Sequence, residues 1–119
     1  MSNRELLALS SVDMRRRIGT KEISPVELLE ACLRRIEEIN PAVNAVTAMC
    51  VSRARKEAKA AEAAVRRGEE LPLLHGLPTG IKDLEETKDL LTSYGSPLYR
   101  DYVPRSEEHT SELQSRFGI

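Results

Sequence analysis

Ser24-Pro25-Val26-Glu27 constrains the fold of this chain more than any other stretch, because each of its residues suits the first turn of an α-helix. Serine caps free amides, proline needs no N–H at the first helical position, and glutamate at the third reaches back to the serine amide. The helix that follows carries Leu28, Leu29, Cys32, Leu33, Ile36 and Ile39 at helical spacing, so one face is apolar. Glu30, Arg34, Arg35, Glu37 and Glu38 occupy the rest. Pro41 is expected to end the helix by removing Asn40 from helical geometry. Cys32 lies on the apolar face and reads as a small core residue rather than a nucleophile.

Shorter elements surround this helix. Met1–Leu9 is a short leucine-containing segment. Ser10 or Ser11 with Asp13 can cap a helix running to about Ile18, with Gly19 placed to end it. Arg15, Arg16 and Arg17 fall in its last turn, where they complement the helix dipole and are expected to be solvated. Asn44–Met49 predicts a short strand. From about Ser52 to Gly68 an alanine-rich helix is predicted, with Ala54, Ala58, Ala61 and Val65 on one stripe and Glu62–Arg66 as an i,i+4 pair. So small a stripe allows close approach to a neighbour but buries little area.

The 119 residues permit one small domain, and with no Trp, one Phe and three Tyr its core is thin. The formal net charge of −1 argues against nucleic acid or an anionic membrane as partner. Arg53, Arg55, Lys56, Lys59, Arg66 and Arg67 are interleaved with glutamates and lack stacking aromatics, so they read as a solvated face. Cys32 and Cys50 form neither a disulfide framework nor a metal motif, and the N-terminus lacks a secretory layout. A cytoplasmic setting is the expectation, with no cofactor and no metal.

The most informative stretch is LHGLPTGIKDLEETKDLLTSYGSPLYRDYVP, from Leu74 to Pro104. It joins a strand-like run to one lysine, Lys82, at the run's end, and carries two glycine-marked turns. Gly76, Gly80 and Lys82 do not make a phosphate loop, because Ile81 separates the second glycine from the lysine and Asp83 stands where Ser or Thr is needed. His75 has no second ligand at metal spacing and reads as a turn or packing histidine.

Taken together, SPVELLEACLRRIEEINPAVNAV, the alanine-rich helix and this last stretch resemble the N-terminal part of the amidase signature family of serine amide hydrolases. The resemblance covers about Leu6 to Pro104. It implies an α/β fold: the N-terminal helices and first strands of an amidase-type α/β/α mixed-sheet domain, incomplete here. It also implies hydrolysis of carboxylic amides by a serine, a second serine on a cis peptide bond, and a lysine at the position of Lys82. A serine hydroxyl needs a base, and a lysine can serve only in its neutral form, which desolvation favours. The plainer alternative is a surface Lys82 paired with Asp83 or Glu85. Both serines belong to a downstream glycine- and serine-rich stretch with no counterpart here. Ser93 and Ser96 sit in the wrong place to replace them, so the chain by itself is expected to be inactive.

The closing residues differ in kind. Arg105–Ser115, RSEEHTSELQS, resembles the conceptual translation of a common sequencing adapter, and residues 105–119 are expected to be a non-native or disordered tail after a domain spanning 1–104. The implied partner of the complete enzyme is a small-molecule amide, and no oligomeric state is assigned. The related transamidase subunit, which releases ammonia from glutamine for a charged tRNA, shares the lysine pattern. A different class, a small helical module pairing through the Leu28–Ile39 face, predicts cooperative folding and a functional tail.

Overall fold

The structure, a computed structural model, describes residues 1–105, so the tail expected over residues 105–119 lies, apart from Arg105, outside the described residues. Four α-helices follow one another: α1 (Asn3–Leu7), α2 (Ser11–Gly19), α3 (Pro25–Val43) and α4 (Val51–Arg66), with a 3₁₀ turn at Pro97–Tyr99. Serines begin the first three. Ser2 and Glu5 form a reciprocal capping box, Ser10 accepts the Asp13 N–H at 3.1 Å, and Ser24 with Glu27 forms a second capping box ahead of Pro25. The Ser24 hydroxyl, besides accepting the Val26 N–H at 3.0 Å, donates to Glu62 on α4. The residue that starts α3 therefore also ties α3 to α4.

The ends of α2 and α3 depart from the sequence expectation, and that of α4 follows it. Gly19 stays within α2, and Lys21, at φ 63°, takes the left-handed position instead. Its N–H bonds Ile18 O at 3.1 Å and the Glu22 N–H bonds Arg17 O at 2.9 Å, the paired closure that satisfies terminal carbonyls. The same closure ends α4 around Gly68, at φ 70°, through Gly68 N–H to Val65 O and Glu69 N–H to Ala64 O. Pro41, expected to stop α3, lies inside its last turn. Its fixed φ suits a helix, and the stop comes from Asn44 in the left-handed region at φ 49°. The Asn40 side chain reinforces this stop, donating to Val46 O and accepting the Val46 N–H, both at 2.9 Å.

The core has two parts on either side of α3. Leu6, Ile18, Ile23, Leu28, Ala31 and Val65 join α1, α2 and α3 to the end of α4. Leu29 and Leu33 face Ala54, Ala58 and Ala61, the predicted small-residue stripe, with Val26 and Val51 beside them. Alanine lets the α3 and α4 backbones approach closely, so modest side chains still exclude water. Cys32, Ile36 and Ile39, placed on the apolar face by spacing, are only half-buried.

Two further features differ from the sequence expectation within the described residues. Among the described residues no strand forms: Asn44–Met49 is irregular, and the run up to Lys82 shows a single bridge residue at Thr79. A strand satisfies its amides only through a neighbour, and within residues 1–105 neither segment has one. The basic end of α2 is also not simply solvated. Arg15 donates to the carbonyls of Pro72 and Leu71 at 3.0 and 3.1 Å, and Arg17 pairs with Glu22 at 3.2 Å.

Candidate active site

Residues 71–77 carry the chain off α4 and back over the ends of α2 and α3. Leu71 and Leu77 pack on the core, Arg15 holds the Leu71 and Pro72 carbonyls, and His75 Nε2 lies 3.0 Å from Ala61 O. His75 is thus a packing histidine in a turn. Gly76 is buried at φ 78°, and a Cβ there would meet Pro25 Cγ at 3.0 Å and Ile18 Cδ1 at 3.1 Å. Only glycine permits both this backbone conformation and this contact.

Beyond that anchor the chain forms a loop with Lys82 near its start. Lys82 is exposed, and among the described residues its amine makes no hydrogen bond or ion pair. It stands at a cleft of about 440 Å³ between the 45–48 segment and the loop over residues 80–92. Thr47, Thr87, Leu90, Leu91 and Thr92 are among the residues that line it. The Glu85 N–H bonds Lys82 O at 3.0 Å, closing a turn directly after the lysine.

Asp83 does not pair with Lys82. Its Oδ1 accepts the Ser93 N–H at 2.7 Å and its Oδ2 accepts the Ser93 hydroxyl. Ser93 opens a tight turn closed by Ser96 N–H to Ser93 O at 2.9 Å, with Tyr94 and Gly95 both left-handed at φ 52° and 67°. Glu86 grips the far side of this turn: its Oε1 accepts the Tyr94 hydroxyl at 2.8 Å and the Tyr102 hydroxyl at 2.6 Å. Tyr94, Tyr99 and Tyr102 pack ring against ring with centroids 5.1 to 6.4 Å apart. Backbone bonds from Asp89 N–H to Pro104 O and from Thr92 N–H to Tyr102 O close the loop, both at 2.9 Å.

The structure therefore places Lys82 in the lining of a cleft and engages the Ser93 hydroxyl with Asp83. Two carboxylates escape sequence reasoning. It offers Asp83 only as a surface partner for Lys82, and Glu86 not at all. The Lys-Asp pair and the T-x-Y-G-S-P turn are both visible in the sequence, but no local periodicity pairs residues ten positions apart. Elsewhere burial raises the pKa of both thiols, and the Cys50 thiol is also close to Arg53, which acts in the opposite sense. That favours the protonated, unreactive form.

Comparison with known proteins places the chain in a family. The chain matches the Amidase family over residues 27–115. It is 42% identical over 87 residues to a glutamyl-tRNA(Gln) amidotransferase subunit of Anaeromyxobacter dehalogenans, covering 73% of this chain and 18% of that protein. It is 37% identical to a putative amidase AmiD of Mycobacterium bovis, with the same two coverages of 73% and 18%. In fold it is similar to a bacterial aryl acylamidase described as belonging to the amidase signature enzymes, with TM-score 0.79 and 24% identity over 93% of this chain and 24% of that one. The chain spans about a fifth of the length of the curated relatives it matches. On the family match over residues 27–115, this chain belongs to the Amidase family.

Proposed function

We propose that this chain carries the base of a serine amide hydrolase, with Lys82 as the residue that takes up the proton of the nucleophile. The observation that carries the reading is Lys82 in the lining of a cleft, next to an aspartate committed to Ser93. In the complete enzyme a serine hydroxyl would attack the amide carbonyl while its proton passes through the bridging serine to Lys82. The same amine would later help return a proton to the leaving amine. Both serines would come from the rest of the enzyme, so this chain alone is expected to release no ammonia.

The α/β/α mixed sheet belongs to the same proposal. Asn44–Met49 and the run up to Lys82 would become strands once the remaining domain supplies partners, and that packing would desolvate Lys82. The substrate would be a small-molecule amide. Cys32 and Cys50 form no disulfide, which suits a reducing, cytoplasmic setting, and among the described residues no helix is long and apolar enough to cross a membrane. Residues 105–119 would lie outside the native domain, although the family match runs on to residue 115; sequencing the genomic locus past Pro104 tests this, and a stop directly after Ile119 would refute it.

The deciding experiment replaces Lys82 by Ala in the full-length protein bearing this segment. Loss of kcat with an unchanged fold is expected, whereas wild-type turnover would remove the lysine from its role. The similarity to a glutamyl-tRNA(Gln) amidotransferase subunit favours a second reading, ammonia release from glutamine for use on a charged tRNA. Glutamine hydrolysis that rises on adding the charged tRNA would select it over a general amidase.

A further inference from the structure

We infer that Ser93 is a positioning residue for the Lys82 base: by donating both its N–H and its hydroxyl to Asp83, it keeps that carboxylate from pairing with the amine beside it. The inference rests on the reading of Lys82 as a base. A carboxylate next to a lysine on a loop is its nearest available counter-ion, and an ion pair would favour the charged, proton-saturated form that cannot serve. Two hydrogen bonds to a charged acceptor outweigh one exposed ion pair, so the competition goes to Ser93.

The geometry supports this in three ways. Both Asp83 oxygens are engaged by one residue, at 2.7 Å for the N–H and through the hydroxyl for the other. Ser93 is itself held in place, since its Oγ accepts the Gly95 N–H at 3.3 Å and the turn it opens is closed at Ser96. Glu86 fixes the same turn through Tyr94 and Tyr102, so Ser93 cannot drift away from Asp83 with the loop. Among the described residues, the charged ones along the cleft are Lys82, Asp83 and Glu85, and the opposite wall of Ala45, Val46, Thr47 and Ala48 brings none. Removing the Ser93 hydroxyl therefore frees an oxygen of one specific carboxylate beside Lys82.

The test reads the amine directly in the 119-residue chain. Lysine acetylation by acetic anhydride at about pH 8, where a partly neutral amine reacts, is followed by peptide mass spectrometry, with Lys56 and Lys59 of α4 as internal references. Ser93→Ala should slow acetylation of Lys82 on the order of threefold relative to those references, the effect of an exposed ion pair. Ser93→Thr, which keeps both donors, should react at the original rate, and adding Asp83→Asn to Ser93→Ala should restore it. An unchanged or faster Lys82 in Ser93→Ala overturns the inference, as does a failure of Asp83→Asn to restore the rate. No turnover enters this measurement, so wild-type turnover in Lys82→Ala would sink the base reading while leaving the Asp83–Ser93 contact intact.

Discussion

Replacing Gly76 by Ala tests whether the Lys82 loop is anchored as the structure describes. Two costs arise there. The residue sits at φ 78°, and the left-handed region costs an L-residue about 1–2 kcal/mol. The added Cβ would also lie 3.0 Å from Pro25 Cγ and 3.1 Å from Ile18 Cδ1, in a close-packed corner where Ile18 is 0% exposed. Overpacking of that kind costs roughly 1–3 kcal/mol, and the reduced freedom of the unfolded chain returns about 0.4–1 kcal/mol. The net expectation is about 2–4 kcal/mol. Gly68→Ala isolates the first term, because Gly68 has a similar φ of 70° with nothing within 4 Å of the added carbon. It should cost only about 1 kcal/mol. Urea unfolding followed by helical circular dichroism, with native-state exchange of the Leu28 and Leu29 amides as a second readout, compares the two. Equal losses at both glycines would refute the close approach of residues 71–77 to α2 and α3.

Two further outcomes follow from the helices. Ser24→Ala removes the cap of α3 and the donor to Glu62 together, and should lower the stability measured by urea unfolding by about 1–2 kcal/mol. Because the substitution leaves the α4 termini untouched, the faster amide exchange should concentrate in the first turn of α3. The hydrogen bond from Arg55 holds the Glu30 carboxyl below the ordinary glutamate range, with burial opposing it. A depressed carboxyl adds stability that is fully present above its unfolded value and is lost as pH falls through the lower folded one. Glu30→Gln should therefore cost under about 1 kcal/mol at about pH 7, a small loss because the pair is partly exposed, and the difference from wild type should shrink progressively as pH falls below the ordinary glutamate range in urea titrations.

What the sequence by itself determined was local. The capping residues Ser10 and Ser24 start their helices where expected, and Ala54, Ala58, Ala61 and Val65 form the buried stripe their spacing predicts. Glu62 and Arg66 pair at 2.6 Å, and Gly76 and Gly95 mark left-handed turns. Each of these follows from interactions within one or two turns of chain, which residue spacing records. The family resemblance was equally readable, because the residues that carry it follow one another along the chain.

The tertiary structure decided the rest. Only the folded chain shows that Asn40 and Asn44, rather than Pro41, terminate α3, since the deciding bonds run to Val46 beyond the helix. It also decides that Arg15 serves the 71–72 carbonyls and that Asp83 and Glu86 grip a turn eight to ten residues away. Among the described residues the expected strands do not form, for the same physical reason. A helix satisfies its backbone amides from within, whereas a strand borrows its partners from elsewhere in the fold, and no residue pattern along one segment guarantees that those partners are there.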